Sequence, residues 1–165
     1  MLKKFNLLLI VFLFTSCDQD KGYVVKANVR AEEFSVKTTI SQSQFQNLKE
    51  KIKQETDKGK NTILTVVKAK NLKDKDFDGL KATMLKISQM PHLSDQALSN
   101  MALQYLTIEE MPNFDEKGIA KIKGLKSVRL WNMPHMTNEK ARILLKKKIK
   151  VYDDREKTHQ KLRAE

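Results

Sequence analysis

Apolar residues two positions apart return along this chain at nearly constant intervals: Leu64 and Val66, Leu85 and Ile87, Leu106 and Ile108, Val128 and Leu130, Ile149 and Val151. The steps between pairs are 21, 21, 22 and 21 residues. Such spacing puts both members of a pair on one face of a short strand, and a constant period of about 20–50 residues marks a repeated supersecondary unit. Each pair lies in a longer apolar frame. Ala82, Leu85, Ile87, Met90 and Leu93 are followed by Leu103, Leu106, Ile108, Met111 and Phe114, then by Leu125, Val128, Leu130, Met133 and Met136; Leu64, Val66, Ala69 and Leu72 form a weaker first frame. Ser94, Asp115 and Thr137 follow the frames at positions suited to a helix N-cap, ahead of apolar residues at helical spacing such as Leu98 with Met101 and Ile119 with Ile122. The predicted unit is a strand, a corner and a short helix.

Upstream, "FSVKTTI" alternates Phe34, Val36, Thr38 and Ile40 and reads as a strand. Ser41 and Gln44 have the spacing of a capping box, and Phe45, Leu48 and Ile52 follow on one helical face, so an amphipathic helix is expected to end near Gly59. The expected organisation is a signal segment at 1–16, a tether at 17–33, an N-terminal strand-helix cap at 34–61, a repeat domain at 62–153 and a charged tail at 154–165.

The frame resembles the leucine-rich repeat L-x-x-L-x-L-x-x-N/C-x-x-L over roughly residues 62–152, and its length is nearer the cysteine-containing F-box-type repeat than the asparagine-ladder type. It departs from both in carrying Ala69, Met90, Met111 and Met133 at the corner. The resemblance implies an α/β fold in the form of a short right-handed β/α solenoid with about four to five parallel strands. It also implies that the corner methionines pile on one another inside. All 3 prolines, Pro91, Pro112 and Pro134, directly follow those methionines. Proline lacks an N–H and suits the point where a chain leaves a strand ladder. His92, Asn113 and His135 come next and are expected in outward loops. A Met/His site for soft copper is the competing reading, but Asn113 interrupts the set and the two histidines lie two repeats apart.

In a solenoid the strand residues flanking the buried pairs line an open concave face. One column holds Ile63, Met84, Tyr105, Ser127 and Lys148; the next Thr65, Lys86, Thr107, Arg129 and Lys150; the third Val67, Ser88, Glu109, Trp131 and Tyr152. Aromatics and Arg dominate interface hot spots. Tyr105, Arg129, Trp131, Lys150 and Tyr152 are therefore the candidate partner-binding residues, with Tyr152 expected directly beside Trp131.

The compartment follows from "MLKKFNLLLIVFLFTSC". Lys3 and Lys4 precede an apolar run, Leu7 to Phe14, that is too short to span a bilayer, and small residues lead to Cys17, the only cysteine. The small-small-Cys ending resembles the lipobox of bacterial lipoproteins, with Phe14 in place of the usual leucine. That resemblance implies cleavage before Cys17, lipid on its thiol, and a place in the cell envelope on the periplasmic or surface side of a membrane. Cleavage removes Lys3 and Lys4 and no acid, lowering the formal charge of +12 by two. The surplus is expected to face an anionic lipid, a cell-wall polymer or an acidic protein rather than nucleic acid.

Catalytic signatures are not found: there is no glycine-rich phosphate loop, no H-E-x-x-H and no G-x-S-x-G. "DKDFDG" at 74–79 has the look of a calcium loop, but Leu85 stands where the closing glutamate belongs, and a helix start with solvated acids is expected instead. No metal or cofactor is expected. The functional expectation is a non-catalytic, membrane-anchored binding or scaffold module that docks a protein partner on the concave face. The alternative is a structural envelope lipoprotein held to anionic membrane or wall polymer by its charge.

Overall fold

Short segments with period-2 burial can bury their apolar side only by pairing. They do so in one sheet in the computed structural model, which describes residues 24–27 and 31–153 and shows an α/β protein. The strands run in sequence order: β1 (Val24–Ala27), β2 (Glu32–Lys37), β3 (Thr62–Val67), β4 (Met84–Ser88), β5 (Tyr105–Glu109), β6 (Ser127–Trp131) and β7 (Lys150–Asp153). β1 is antiparallel to β2, and the six strands from β2 onward are all parallel. The crossovers are α1 (Gln42–Asp57), 3₁₀ turns at Asp74–Phe77 and Asp95–Leu98, the single-turn helix α2 (Glu116–Ile119), and α3 (Asn138–Lys146).

The expected cap is the first unit of this same sheet. Phe34 and Val36 stand in register with Leu64 and Val66 and are buried with them, so six parallel strands replace the expected four to five. The reason lies in α1, whose 16 residues stretch the step from Phe34 to Leu64 beyond the constant period. The expected tether also contains β1 and the first residues of β2. The signal segment, Cys17 and the tail at 154–165 lie outside the described residues.

Register turns the apolar pairs into buried columns. Leu64, Leu85, Leu106 and Val128 align, as do Val66, Ile87, Ile108 and Leu130, and all are buried. Every described buried hydrophobic side chain lies between Phe34 and Ile149.

The corner explains the Met-Pro phrase. The Met90 N–H donates to Met111 Sδ at 3.3 Å, and the Met111 N–H donates to Met133 Sδ at 3.3 Å. A buried N–H needs an acceptor, and a thioether supplies a weak one where leucine would supply none. His92 is exposed, as expected of an outward loop residue, and His135 is half-buried, but both rings are also engaged with backbone. Their Nε2 atoms bond the carbonyl oxygens of Leu72 at 2.7 Å and Phe114 at 2.6 Å, while Asn113 Nδ2 donates to the Pro91 carbonyl at 2.6 Å. Each side chain reaches back one repeat and pins its backbone, because a corner leaves carbonyls without ladder partners.

Each parallel strand from β2 to β6 is followed by a residue in the left-handed region: Thr38 (67°), Lys68 (55°), Gln89 (55°), Glu110 (52°) and Asn132 (48°). The N–H groups of Thr38, Lys68, Gln89 and Glu110 still extend the ladder, as from Gln89 to the Glu109 carbonyl at 3.1 Å and from Glu110 to the Trp131 carbonyl at 3.2 Å. The chain then turns sharply, at roughly 1–2 kcal/mol per non-glycine residue. Glycine, the usual sequence signal for this conformation, occupies none of the five positions.

The "DKDFDG" segment forms the 3₁₀ turn Asp74–Phe77, but its acids are not all solvated. Asp76 is buried and accepts the Lys73 N–H at 2.7 Å. Lys49 of α1 donates its Nζ to the carbonyls of Asp76 and Asp78 at 2.8 and 2.6 Å, and burial holds its pKa below the ordinary lysine value.

Candidate partner-binding face

Alternate strand positions point away from the buried columns and form an open face. In register, Ile63, Met84, Tyr105, Ser127 and Lys150 make one row, Thr65, Lys86, Thr107, Arg129 and Tyr152 a second, and Val67, Ser88, Glu109 and Trp131 a third. Exposure rises along the sheet. The β3 positions are half-buried, while Arg129, Trp131, Lys150 and Tyr152 are exposed. Trp131 keeps 42% and Tyr152 48% of their surface, values foreign to core aromatics.

The structure brings Tyr105, Arg129, Trp131, Lys150 and Tyr152 to one face but rearranges their neighbours. Val128 stands opposite Val151, a step of 23 residues in place of the expected 21. Tyr152 therefore lies beside Arg129, Lys150 lies beside Ser127, and Trp131 lies beside Glu109 and past the last β6–β7 pair, Leu130 with Asp153. The cause is the crossover: α3 has nine residues, and the turn after it puts Lys148 at φ 63° and buries Ile149 ahead of the strand. A slip of two residues preserves facing because the side-chain period is two. Adjacent strands lie about 4.8 Å apart, so Arg129 and Tyr152 are in direct reach of one another. A guanidinium can stack on an aromatic face, which would hold both flat against the sheet. On this face Lys37, Lys86, Arg129 and Lys150 outnumber Glu33 and Glu109, which leaves its balance positive.

Carboxylates link successive connections of the sheet. Asp74 accepts the Ser94 N–H at 2.9 Å and the Ser94 hydroxyl at 2.6 Å, and one repeat on, Asp95 Oδ1 accepts the Asp115 N–H at 2.9 Å. Asp115 in turn caps α2 through the N–H groups of Lys117 and Gly118. Burial pushes the Asp95 carboxyl up to about 6, helped by a hydrogen bond with the Asp115 carboxylate, whose own pKa falls for that reason. A raised acid pKa in the fold means that the folded state holds its proton more tightly than the unfolded chain. That contribution is fully present below the ordinary aspartate value of 3.8 and is lost as pH rises to about 6. Asp95→Asn copies the protonated form. We expect it to raise stability at pH 7.5 by about 1 kcal/mol, allowing for partial exposure, and to flatten the profile between pH 4 and 6.5. Urea titrations across that range decide the matter; profiles that stay parallel would refute the shared proton.

Among the described residues no group of three or more His, Cys, Asp or Glu side chains is placed to hold a metal ion, and no helix is long and apolar enough to cross a membrane. The fold and the face together define an α/β protein with an open, positively balanced aromatic surface on a parallel sheet. No family model, curated protein or solved structure matches this chain.

Proposed function

We propose that this chain is a membrane-anchored, non-catalytic binding module of leucine-rich-repeat-like architecture, tethered through a lipid on Cys17 and docking an acidic protein partner on its open sheet face. The solenoid part of this reading is supported by strands that follow sequence order and by corner side chains that each contact the preceding repeat. The observation that carries the binding role is the exposure of Trp131 and Tyr152 beside Arg129 on that face, which is where solenoids take extended partners. The lipid tether rests on the sequence ending at Cys17, and the absence of catalysis on the lack of a recognised motif.

The test is a paired measurement on Trp131→Ala. Thermal unfolding should match the parent, because the side chain is not core. Recovery of the partner from envelope extracts should fall by at least about 30-fold, the equivalent of a hot spot of about 2 kcal/mol. A variant that unfolds makes Trp131 a core residue, and one that still captures the same partner moves the binding site elsewhere.

A further inference from the structure

The exposed large apolar side chains of the described residues fall in two places. Tyr105, Trp131 and Tyr152 belong to the open face; Ile143 (44% exposed) and Leu145 (52%) lie on α3, on either side of the buried Leu144. The second pair has no part in the proposed binding face; its two side chains leave α3 on opposite flanks, with exposed Arg142 and Lys146 on the outer side between them and Glu139 one turn before Ile143. Lys146 ends α3, Lys147 caps it and Lys148 follows, all exposed. Lys121 and Lys123 stand in the preceding connection, which runs alongside this one: the Lys150 N–H donates to the Lys126 carbonyl at 3.0 Å.

These lysines lie on the side of the sheet at which the parallel strands begin, and ion pairing divides that side in two. Towards α1, Lys58 and Lys60 pair with Glu55, Lys60 also pairs with Glu32, and Lys81 pairs with Asp57. Towards β7, Lys121, Lys123, Lys146, Lys147 and Lys148 have no carboxylate partner among the described residues. A favourable helix C-terminus accounts for one lysine in the last turn, not for five spread over two connections.

We propose that this corner, Ile143 and Leu145 with Lys121, Lys123, Lys146, Lys147 and Lys148, docks on the surface of an anionic lipid bilayer. Aliphatics decide between a bilayer and a soluble polyanion. A polymer chain is met by charge alone, whereas the headgroup boundary takes up Leu and Ile side chains while lysines meet the lipid phosphates. The position of the patch also fits a second attachment. Cys17 precedes β1 by seven positions, and β1 and β7 are opposite edges of the sheet, roughly 29 Å apart at about 4.8 Å per strand.

The inference rests on the membrane-anchored part of the proposed function. Its test uses residues 18–165, which carry the whole described core but no lipid. Failure here therefore leaves the Trp131 result standing, and failure of lipidation in the cell leaves this result standing. Partition into phosphatidylglycerol-containing vesicles should exceed that into phosphatidylcholine vesicles. Replacing Lys121, Lys123, Lys146, Lys147 and Lys148 by Gln should weaken it at least about 30-fold, while the same change at Lys51, Lys53, Lys68, Lys70 and Lys75 should weaken it less than about 3-fold. Ile143→Ser with Leu145→Ser should reduce vesicle binding about 10-fold and leave polyphosphate binding intact. Equal losses in the two lysine sets would reduce the effect to net charge. Unchanged vesicle binding by the serine variant would make the partner a polyanion. On the unaltered chain, anionic vesicles should shield Lys146, Lys147 and Lys148 from acetylation and spare Lys51 and Lys53; uniform reactivity overturns the proposal even if a variant fails to fold.

Discussion

Leu106→Ala is expected to lower the unfolding free energy by about 2–5 kcal/mol, the range for truncating a buried leucine. Leu106 lies in the middle of its column, with Leu85 on one side and Val128 on the other, and all three are buried. A void there removes contacts from two neighbouring repeats at once, and neither can close it without leaving its strand register. Lys86→Ala, one position along from Leu85 and facing the other way, is expected to change stability by less than about 0.5 kcal/mol. Urea unfolding of both variants beside the parent reads the difference. Similar losses would mean that the two faces of the sheet had been exchanged.

Gly118→Ala is expected to cost about 2–3 kcal/mol, against the usual trend in helices, where alanine in place of glycine stabilises by about 0.5–1 kcal/mol. Gly118 has no special backbone angle; what excludes a side chain is its neighbour. A Cβ at position 118 would stand 2.2 Å from Asp95 Oδ1, 2.3 Å from Cγ and 2.7 Å from Cβ. Rotating the Asp95 carboxyl away would relieve the first two overlaps but strand the Asp115 N–H it accepts, and would leave the Cβ contact in place. The double variant Asp95→Gly with Gly118→Ala removes the clash. It should therefore be more stable than the sum of the single changes predicts, with a coupling of about 1–2 kcal/mol in a double-mutant cycle. Additive losses would show that position 118 is limited by something other than Asp95.

Both predictions rest on packing between successive strands and their connections, and they differ in how far the chain's own pattern announced them. The Leu106 column was legible as a 21-residue period, because an apolar pair at period two must face inward wherever a sheet has one dry side. The Asp95–Gly118 contact was not legible, since it joins residues 23 positions apart whose types are ordinary for turns. The same holds at the corners. Met90, Met111 and Met133 were expected to stack, but that the Met111 and Met133 sulfurs accept the N–H groups of Met90 and Met111 emerges only from the depth at which each corner nests against the next. The left-handed residues after β2 to β6 carried no glycine to betray them.

The candidate face divides in the same way. That Arg129, Trp131 and Tyr152 point away from the core is a consequence of alternation, determined by the amino-acid order alone. Which of them touch is not. The step from β6 to β7 depends on how many residues α3 and its following turn consume before the chain can re-enter the sheet, and helix length is set by packing against α2 and β7 as well as by local propensity. The count of strands follows suit: Phe34 and Val36 had the right pattern, but only the path of α1 across the sheet brings them back in register with Leu64 and Val66. Local periodicity, a property of neighbours in the chain, determined strands, faces and buried pairs from β3 to β6, but not the fifth pair, in which Ile149 is buried ahead of β7 and Val151 is half-buried. Register, neighbour identity and the exposure of Ile143 and Leu145 were decided by the tertiary structure, because crossover length and the burial of one repeat by the next are sums over residues far apart in sequence.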